Sequence, residues 1–566
     1  MKLLEPKLSS TAEKILCRRY LKKDSTGDPV ETPREMFWRV ARYVAQAERR
    51  WGGQDRVKDW ALKFYRLMAG LEFLPNSPTL LYAGRGLKQL SACFVLPLED
   101  SLDSIFTTLK QAVDVQWAGG GTGFNFSKLR PFGDSVRGFS DVAAGPTHYL
   151  KVFDSALGRV MQGGVRHGAN MGMLHISHPD IEKFIRLKRK KGTLANFNLS
   201  VAVSDKFMES YLRGGSFSII SPRTGKVVRK VRSEQLFDQL IVSAWETGEP
   251  GLLFWDRIRE ANPLKEDVPL EATNPCGEQP LGAYESCNLG SVNLARFAHG
   301  GKVSWEKLRG VVCQAVRFLN DVIEVNNFPL EQIKRNTLRT RKIGLGVMGL
   351  AHLFYKLKIA YNSARAEDLV EKLMKLIKEE GTRASYQLGK ERGMVSGLNR
   401  RNATITTIAP TGSLSLIAGV SPGIEPVFSL INRADILWDV QKSPVNVELI
   451  DPEFANILKR HHLFTEEILR RVRKRGVASL KELPVSLRKV LVTAYEIDPS
   501  WHIRIQAAAQ KYTDNAVSKT VNFPKTATLG DIRHAYILAW KLRCKGITIY
   551  RDGSRDDQVL KSVDRF

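Results

Sequence analysis

The residues best placed to do chemistry lie close together: Asn274-Pro-Cys276-Gly-Glu278-Gln-Pro280, then Tyr284-Glu-Ser-Cys287-Asn-Leu-Gly290. A thiol near a carboxylate, with a second thiol beyond, is a set suited to thiol and acid–base chemistry. Prolines on both sides and Gly277 between them argue for a rigid loop rather than a helix or strand. Such a loop fixes side chains for reaction. The same two cysteines also fit a plainer reading as small buried hydrophobes, the state of most free cysteines.

Three glycine runs and one hydroxyl-rich turn are further candidates. Gly344-Leu-Gly346-Val-Met-Gly349 matches GxGxxG and precedes a helical stretch. A dinucleotide fingerprint needs a buried strand before it. Asn336–Lys342 is not one, so close helix packing is the better reading. Gly119-Gly-Gly-Thr-Gly123 lacks the ending of a nucleotide P-loop but permits close backbone approach to a ligand. Gln162-Gly-Gly-Val-Arg-His-Gly168 suits a mobile loop near an anion. Ala409-Pro-Thr-Gly-Ser-Leu-Ser415 follows the β-branched run ATITTI and leads into an apolar stretch. Strand, hydroxyl-rich turn and helix start make either a phosphate cradle or an ordinary capped helix.

The elements that must hold these residues are legible in outline. The first ~75 residues read as helical. Thr32-Pro33-Arg34-Glu35 is a capping box with proline at the first helical position, and Phe37, Val40, Ala41, Val44 and Ala45 follow at helical spacing. Ser233–Trp245 and Ser304–Ile323 are amphipathic helices, the first stopped by Gly248. Ala403–Ile408 reads as a strand. No linker-like stretch divides residues 80–555, which predicts one large α/β domain with a helical N-terminal cap.

Composition sets the class. The chain has 566 residues, 43% hydrophobic and 26% charged, ordinary for a globular protein and wrong for a disordered or collagen-like one. Its six cysteines are too sparse for a secreted disulfide scaffold, and none has CxxC spacing. The start lacks the apolar core of a signal peptide, and the longest apolar stretch carries prolines and hydroxyls. A cytoplasmic protein with reduced thiols, and no membrane association, is expected. The net charge of +27 attracts anions: nucleotides, nucleic acid or acidic partners. The basic runs Arg186–Lys191 and Arg470–Arg475 lack interleaved aromatics and read as solvated surface.

Taken in order, NSPTL (76–80), SACFVLPLEDSLDSI (91–105), GGGTGFNFSKLRP (119–131), QGGVRHGANMG (162–172), NPCGEQPLGAYESCNLGSVNL (274–294), RKIGLGVMG (341–349), TTIAPTGSLSLIAG (406–419), QKYTDNAVSKTVNFP (510–524) and CKGITIYRDGSR (544–555) resemble the catalytic subunit of ribonucleotide reductases. The resemblance spans roughly residues 10–560 and is closest to the adenosylcobalamin-dependent (class II) type. It implies a ten-stranded α/β barrel, two antiparallel halves of five parallel strands, behind a helical N-terminal region. The expected boundaries are 1–75 for the helical region, 76–555 for the barrel and 556–566 for a short C-terminal tail.

It also implies roles. Cys276 would become a thiyl radical and abstract the ribose 3′-hydrogen. Glu278 would take the 3′-OH proton, and Asn274 would hold the substrate hydroxyls. Cys93 and Cys287 would form the redox-active pair: one protonates the departing 2′-oxygen, and together they give two electrons and end as a disulfide. Substrate contacts would come from Thr79, Ala92, Cys93 and Gly121. The stretch Asn274, Pro275, Cys276, Gly277 and Glu278 would add more, with Pro410, Thr411, Gly412, Ser413 and Leu414 around the diphosphate. Asp100 and Arg130 would bind a deoxynucleotide effector, whose identity the 162–172 loop relays.

The resemblance also separates the classes. Reductases that need a separate radical-generating metalloprotein carry a tyrosine pair where Ile547-Thr-Ile-Tyr550 offers one tyrosine. The glycyl-radical class lacks the glutamate. Adenosylcobalamin is therefore the expected cofactor, bound base-on, with no metal held directly by the protein. A metalloprotein-dependent large subunit and, from another class, a nicotinamide dehydrogenase using GLGVMG remain as alternatives. Helices near 100–118 and 144–160 would build a homodimer. Specific nucleic-acid binding is not expected. The family's tail carries a cysteine pair that re-reduces the active-site disulfide, and the last cysteine here is Cys544; either this chain is a truncated or split product, or an external dithiol reaches Cys93 and Cys287 directly, a small one well and thioredoxin alone poorly. Regulation is expected to act on base preference only.

Overall fold

The computed structural model describes residues 3–162, 166–190, 192–436, 445–554 and 560–562. The N-terminal region is helical, as its patterning predicts. The capping box forms: Glu35 N donates to Thr32 Oγ1 at 3.2 Å and Thr32 N to Glu35 Oε2 at 2.8 Å. It starts the helix Pro33–Ala45, whose Phe37, Val40, Ala41, Val44 and Ala45 are buried. Helix Arg49–Ala69 packs against it, kinked at Gly52 and Gly53.

The core of the molecule is a strand ring. Cys93–Val95, Gly121–Asn125, Asn170–His175, Phe197–Val203 and Gly251–Phe254 pair in parallel, in that order. A second parallel set begins with Glu285–Asn293 and Ile343–Met348. It continues through residues 404–408, which bridge Leu345 by Thr406 and Val517 by Ile408, and ends with Thr520–Phe523 and Gly546–Arg551. The two sets meet antiparallel at both seams, Cys93–Val95 on Glu285–Cys287 and Leu252–Leu253 on Gly546–Ile547. The expected barrel of two opposed five-stranded halves is therefore present. Helices wrap its outside. Ser233–Thr247 ends at Gly248 in the left-handed conformation, φ 75°, and Trp305–Val325 buries Leu308, Val312, Ala315, Leu319 and Val322.

A hairpin enters the barrel. Its arms are Leu270–Thr273 and Pro280–Gly282, paired antiparallel, and its tip is residues 274–279. The glycines of the surrounding strands make room for it. A Cβ on Gly123 would lie 1.7 Å from the Thr273 carbonyl oxygen, and one on Gly121 3.0 Å from the Pro275 ring. The close approach expected of this glycine run is thus to the chain's own hairpin. The GxGxxG stretch also departs from expectation: Ile343–Met348 is itself a buried strand. A Cβ on Gly344 would meet Gln279 Nε2 at 2.5 Å, and one on Gly346 the Thr407 carbonyl oxygen at 2.3 Å. These glycines serve packing inside the barrel, not helix packing and not a cofactor.

One unit went unseen in the sequence. Strands Ile431–Ile436 and Val445–Ile450 and helices Pro452–Arg460, Glu466–Arg475 and Val485–Val490 surround a separate apolar cluster containing Phe454, Leu458 and Leu469. Within the expected tail, Leu560–Ser562 adds a strand to this unit. The basic runs are largely neutralised locally: Lys188 pairs with Glu249, Arg189 with Glu246, Arg471 with Glu482 and Arg473 with Glu466. Lys191 lies outside the described residues.

Candidate active site

The hairpin tip is a tight turn followed by a carboxylate. Gly277 N donates to Asn274 O at 3.0 Å, which makes Asn274–Gly277 a β-turn with proline at its second position. Gly277 has φ +78°, a region open to glycine. The tip is braced from several strands. Asn198 Nδ2 donates to Pro275 O at 2.8 Å. Thr407 Oγ1 and Ala516 N each donate to Glu278 O at 2.9 Å. Gln279 N donates to Asn274 Oδ1 at 2.9 Å.

This bracing presents three side chains differently. Cys276 is exposed, while Asn274 and Glu278 are buried. Burial pushes the Glu278 carboxyl up to about 7, against the lowering effect of a hydrogen bond with Asn274. Its Oε2 is buried without a hydrogen-bond partner. A carboxylate with an unfilled acceptor position and a pKa near neutrality is a competent general base.

Two further thiols lie beside the tip. Cys93 and Cys287 are paired residues across the antiparallel seam, and both are buried. Asn274 Nδ2 donates to Cys93 Sγ at 3.1 Å, so one side chain links the turn to the thiol pair. Burial raises both thiols well above their ordinary range. The charge of Glu278 adds to this at both, and the neighbouring thiols Cys287 and Cys276 add to it at Cys93. Cys287 is also close to a fully buried ion pair, Lys342 with Glu285 at 2.6 Å, which sequence reasoning missed. Glu285 sits two residues before Cys287 in one strand, so both side chains lie on one face.

The other expected residues fall in several places. The turn Pro410–Leu414 leaves the strand that carries Thr407, and Ala409 packs in the cluster that holds Cys93 and Cys287. Thr411 is left-handed, φ 53°, and a Cβ on Gly412 would meet nothing within 4 Å. Ala92 lies against the same cluster, and its N–H donates to Cys287 O at 3.1 Å. Gly121 lies against Pro275. Thr79 is fully buried, its N–H and hydroxyl engaged by Asn76 Oδ1 at 3.0 and 2.7 Å. Asp100 and Arg130, expected at an effector site, form an ion pair with each other at 2.8 Å. In the Gln162–Gly168 loop, Met161–Gln162 and Arg166–His167 pair as short strands, and residues 163–165 lie outside the described residues. Asn198 and Thr407 carry no local signal of this part, because they brace the hairpin from distant strands.

The fold and the site together define a barrel enzyme built on a thiol and a carboxylate at a hairpin tip, with a thiol pair beside them. The family described as ribonucleotide reductase, barrel domain, matches residues 91–400 and 396–550, and the ribonucleotide reductase all-alpha domain matches residues 6–88. The chain belongs to the ribonucleotide reductase family. It is 46% identical to a vitamin B12-dependent ribonucleoside-diphosphate reductase of Mycobacterium tuberculosis, over 99% of this chain and 81% of that protein. It is 42% identical to the protein of that name from Thermoplasma acidophilum, over 98% of this chain and 80% of that one. Among solved structures, the Actinobacillus ureae class Id ribonucleotide reductase alpha subunit superposes with a TM-score of 0.78 at 26% identity, covering 96% of this chain and 97% of that one.

Proposed function

We propose that this protein reduces ribonucleoside diphosphates to 2′-deoxyribonucleotides with adenosylcobalamin as cofactor. The observation that carries this reading is the convergence of Cys276, Glu278 and the Cys93–Cys287 pair at one hairpin tip. The B12-dependent relatives support the cofactor and the diphosphate substrate, in preference to a metalloprotein-dependent subunit or a nicotinamide dehydrogenase.

In this reading the Cys276 sulfur, as a thiyl radical, abstracts the 3′-hydrogen of the ribose. An S–H bond is close in strength to the activated C–H bond, so the transfer is reversible. Glu278 accepts the 3′-OH proton, and Asn274 holds the substrate hydroxyls. The 2′-oxygen leaves as water after protonation by one thiol of the Cys93–Cys287 pair. That pair supplies two electrons, and a disulfide forms as the C2′–H bond replaces C2′–O; Cys276 then returns its hydrogen to C3′, Glu278 returns the proton to the 3′-oxygen, and the thiyl radical is restored. The exposure of Cys276, beside a buried Glu278, fits approach by a bulky cofactor. Adenosylcobalamin, when bound, supplies the one-electron chemistry that removes the hydrogen atom from this thiol.

Ala92, Gly121, Thr79 and Pro275–Gly277 would contact substrate, with Pro410–Leu414 around its diphosphate. Asp100 and Arg130 would hold a deoxynucleotide effector. Leu102, Phe106 and Trp117 on helix Leu102–Trp117 and Val152 on helix Pro146–Leu157 are exposed apolar residues. Apolar surface of this kind supports a homodimer through these helices. The domain reading is a helical region to about residue 75 and a barrel from 76 to 555. No described helix is long and apolar enough to cross a membrane. A cytoplasmic location, where thiols stay reduced, would suit the thiol chemistry. An external dithiol, a small one or thioredoxin, would re-reduce the Cys93–Cys287 disulfide. The test is reduction of a ribonucleoside diphosphate by the purified protein with a small dithiol, with and without adenosylcobalamin. Deoxynucleotide formed only when the cofactor is present is the expected result. Turnover without it, or none with it, would overturn the reading.

A further inference from the structure

The N-terminal region contains a cavity of about 730 Å³ that the mechanism does not use. Arg18, Arg19, Lys22, Lys23, Arg85 and Lys88 line it, and no Asp or Glu does among the described residues. Glu31, just behind, is shared between Arg39 at 2.8 Å and Arg85 at 2.9 Å. Lys22, Lys23 and Lys88 have no ion-pair partner among the described residues. Arg85 Nε is buried without a hydrogen-bond partner. Cations gathered this way repel one another until an anion enters.

The cavity adjoins the turn that would hold the substrate's diphosphate. Arg19 lines the cavity and also donates from Nη1 to Ser413 Oγ at 3.3 Å. Helix Ser10–Ile15, which leads into Arg19, packs on helix Gly412–Ala418. The turn itself offers hydroxyls and backbone N–H groups but no cation, and space is open at Gly412. A diphosphate at physiological pH carries charge that hydroxyls and amides alone do not neutralise.

We propose that this cavity receives the terminal phosphate of the ribonucleotide, with Arg19 joining it to the 410–414 turn and Lys22 and Lys88 binding the outer oxygens. The inference rests on the reductase reading and names the residues that fix the phosphate end of the substrate. Charge-assisted contacts of this kind are strong and salt-sensitive. The cavity has room for more than one phosphate, so a longer phosphate chain should bind at least as well as a diphosphate.

The test combines kinetics and binding. In the wild type, inorganic tripolyphosphate should inhibit reduction of cytidine diphosphate competitively. In Lys22→Gln/Lys88→Gln, KM for the nucleotide should rise about tenfold with kcat changed less than about twofold. Tripolyphosphate affinity, measured by calorimetry, should fall by a similar factor, and high salt should remove the difference. Arg470→Gln/Lys474→Gln removes the same net charge on helix Glu466–Arg475, which does not line the cavity, and should leave KM unchanged. Unaltered KM and tripolyphosphate affinity in the first variant, equal effects in both, or non-competitive inhibition would overturn the proposal. Reduction of no ribonucleotide by the wild type would overturn the reductase reading, while calorimetry would still decide whether the cavity binds polyphosphate.

Discussion

Cys93 and Cys287 stand directly opposite one another on the antiparallel seam that joins the two halves of the barrel. Residues facing across such a seam have Cα atoms about 4.5–5.5 Å apart, inside the ~4.4–6.8 Å range of disulfides. The pair can therefore oxidise and reduce with little movement of the backbone. Burial keeps both thiols protonated near neutrality. One round of reduction, started from reduced protein, should form a single disulfide that peptide mapping places between Cys93 and Cys287. Cys93→Ser should form none and release no deoxynucleotide. A disulfide involving Cys276 instead would reassign the electron donors.

Cys276 differs from that pair by its exposure. Cys276→Ser should abolish turnover while nucleotide affinity stays within about twofold, because a serine O–H bond is too strong for reversible hydrogen transfer. Activity assay and equilibrium binding on the same preparation separate the two effects. Measurable steady-state reduction by this variant would remove Cys276 from the radical step.

Gly123 controls the hairpin without touching chemistry. A methyl group there would occupy the position of the Thr273 carbonyl oxygen, and backbone cannot be pushed aside as a side-chain end can. Gly123→Ala should displace the hairpin, cost about 1–3 kcal/mol of stability and lower kcat by at least about a hundredfold. Wild-type kcat in this variant would show that the hairpin position is not critical.

The sequence announced the elements whose signals are local. The Thr32–Glu35 box, the Gly248 stop and the stiff Pro275–Pro280 turn all depend on neighbours in the chain. The meaning of the glycines did not show, since Gly123 and Gly344 are glycine because of Thr273 and Gln279, far away in sequence. The same holds for Asn198 and Thr407, which brace the tip from other strands. The ion pair of Asp100 with Arg130, 30 residues apart in the chain, likewise shows only in the fold. The separate unit around Phe454 and Leu458 was invisible because no change of composition marks its edges.

Arg392 ties the helical region to the barrel's outer helices. It is fully buried, pairs with Asp321 and Glu48 at 2.5 Å each, and lies 3.9 Å from the Trp51 ring. Burial alone would raise the Glu48 carboxyl. A hydrogen bond from Arg317 and the charges of Arg392 and Arg317 outweigh it and hold the group at about 2. Glu48 thus stabilises the fold above its ordinary unfolded value of 4.5, and that contribution fades as pH falls toward 2. Arg392→Met leaves buried carboxylates without their cation and should cost about 3–5 kcal/mol. Thermal unfolding at pH 7 should show a marked drop, and the gap to wild type should narrow at pH 3. No change at pH 7 would mean that the cluster is not a structural tie.

Glu278 joins activity to stability through one proton. Its carboxyl is raised to about 7 by burial, from 4.5. Below 4.5 the group is neutral in both the folded and unfolded chain. Between 4.5 and about 7 the folded state keeps a proton that the unfolded state has lost, so stability falls as pH rises through this window. Above it, ionised Glu278 costs the fold about 3 kcal/mol. The ionised form is also the one that accepts the 3′-OH proton, so kcat/KM should climb as pH passes about 7 while stability declines. Glu278→Gln keeps the shape, loses the ionisation and cannot act as a base. It should lower kcat by about 10²–10⁴-fold, flatten the rise near neutrality and be more stable than wild type at pH 8 but not at pH 4. Denaturant unfolding at both pH values, run beside the pH–rate profile, tests all of these. Wild-type kcat in Glu278→Gln, or a stability difference that does not change with pH, would take the proton-accepting role away from this residue.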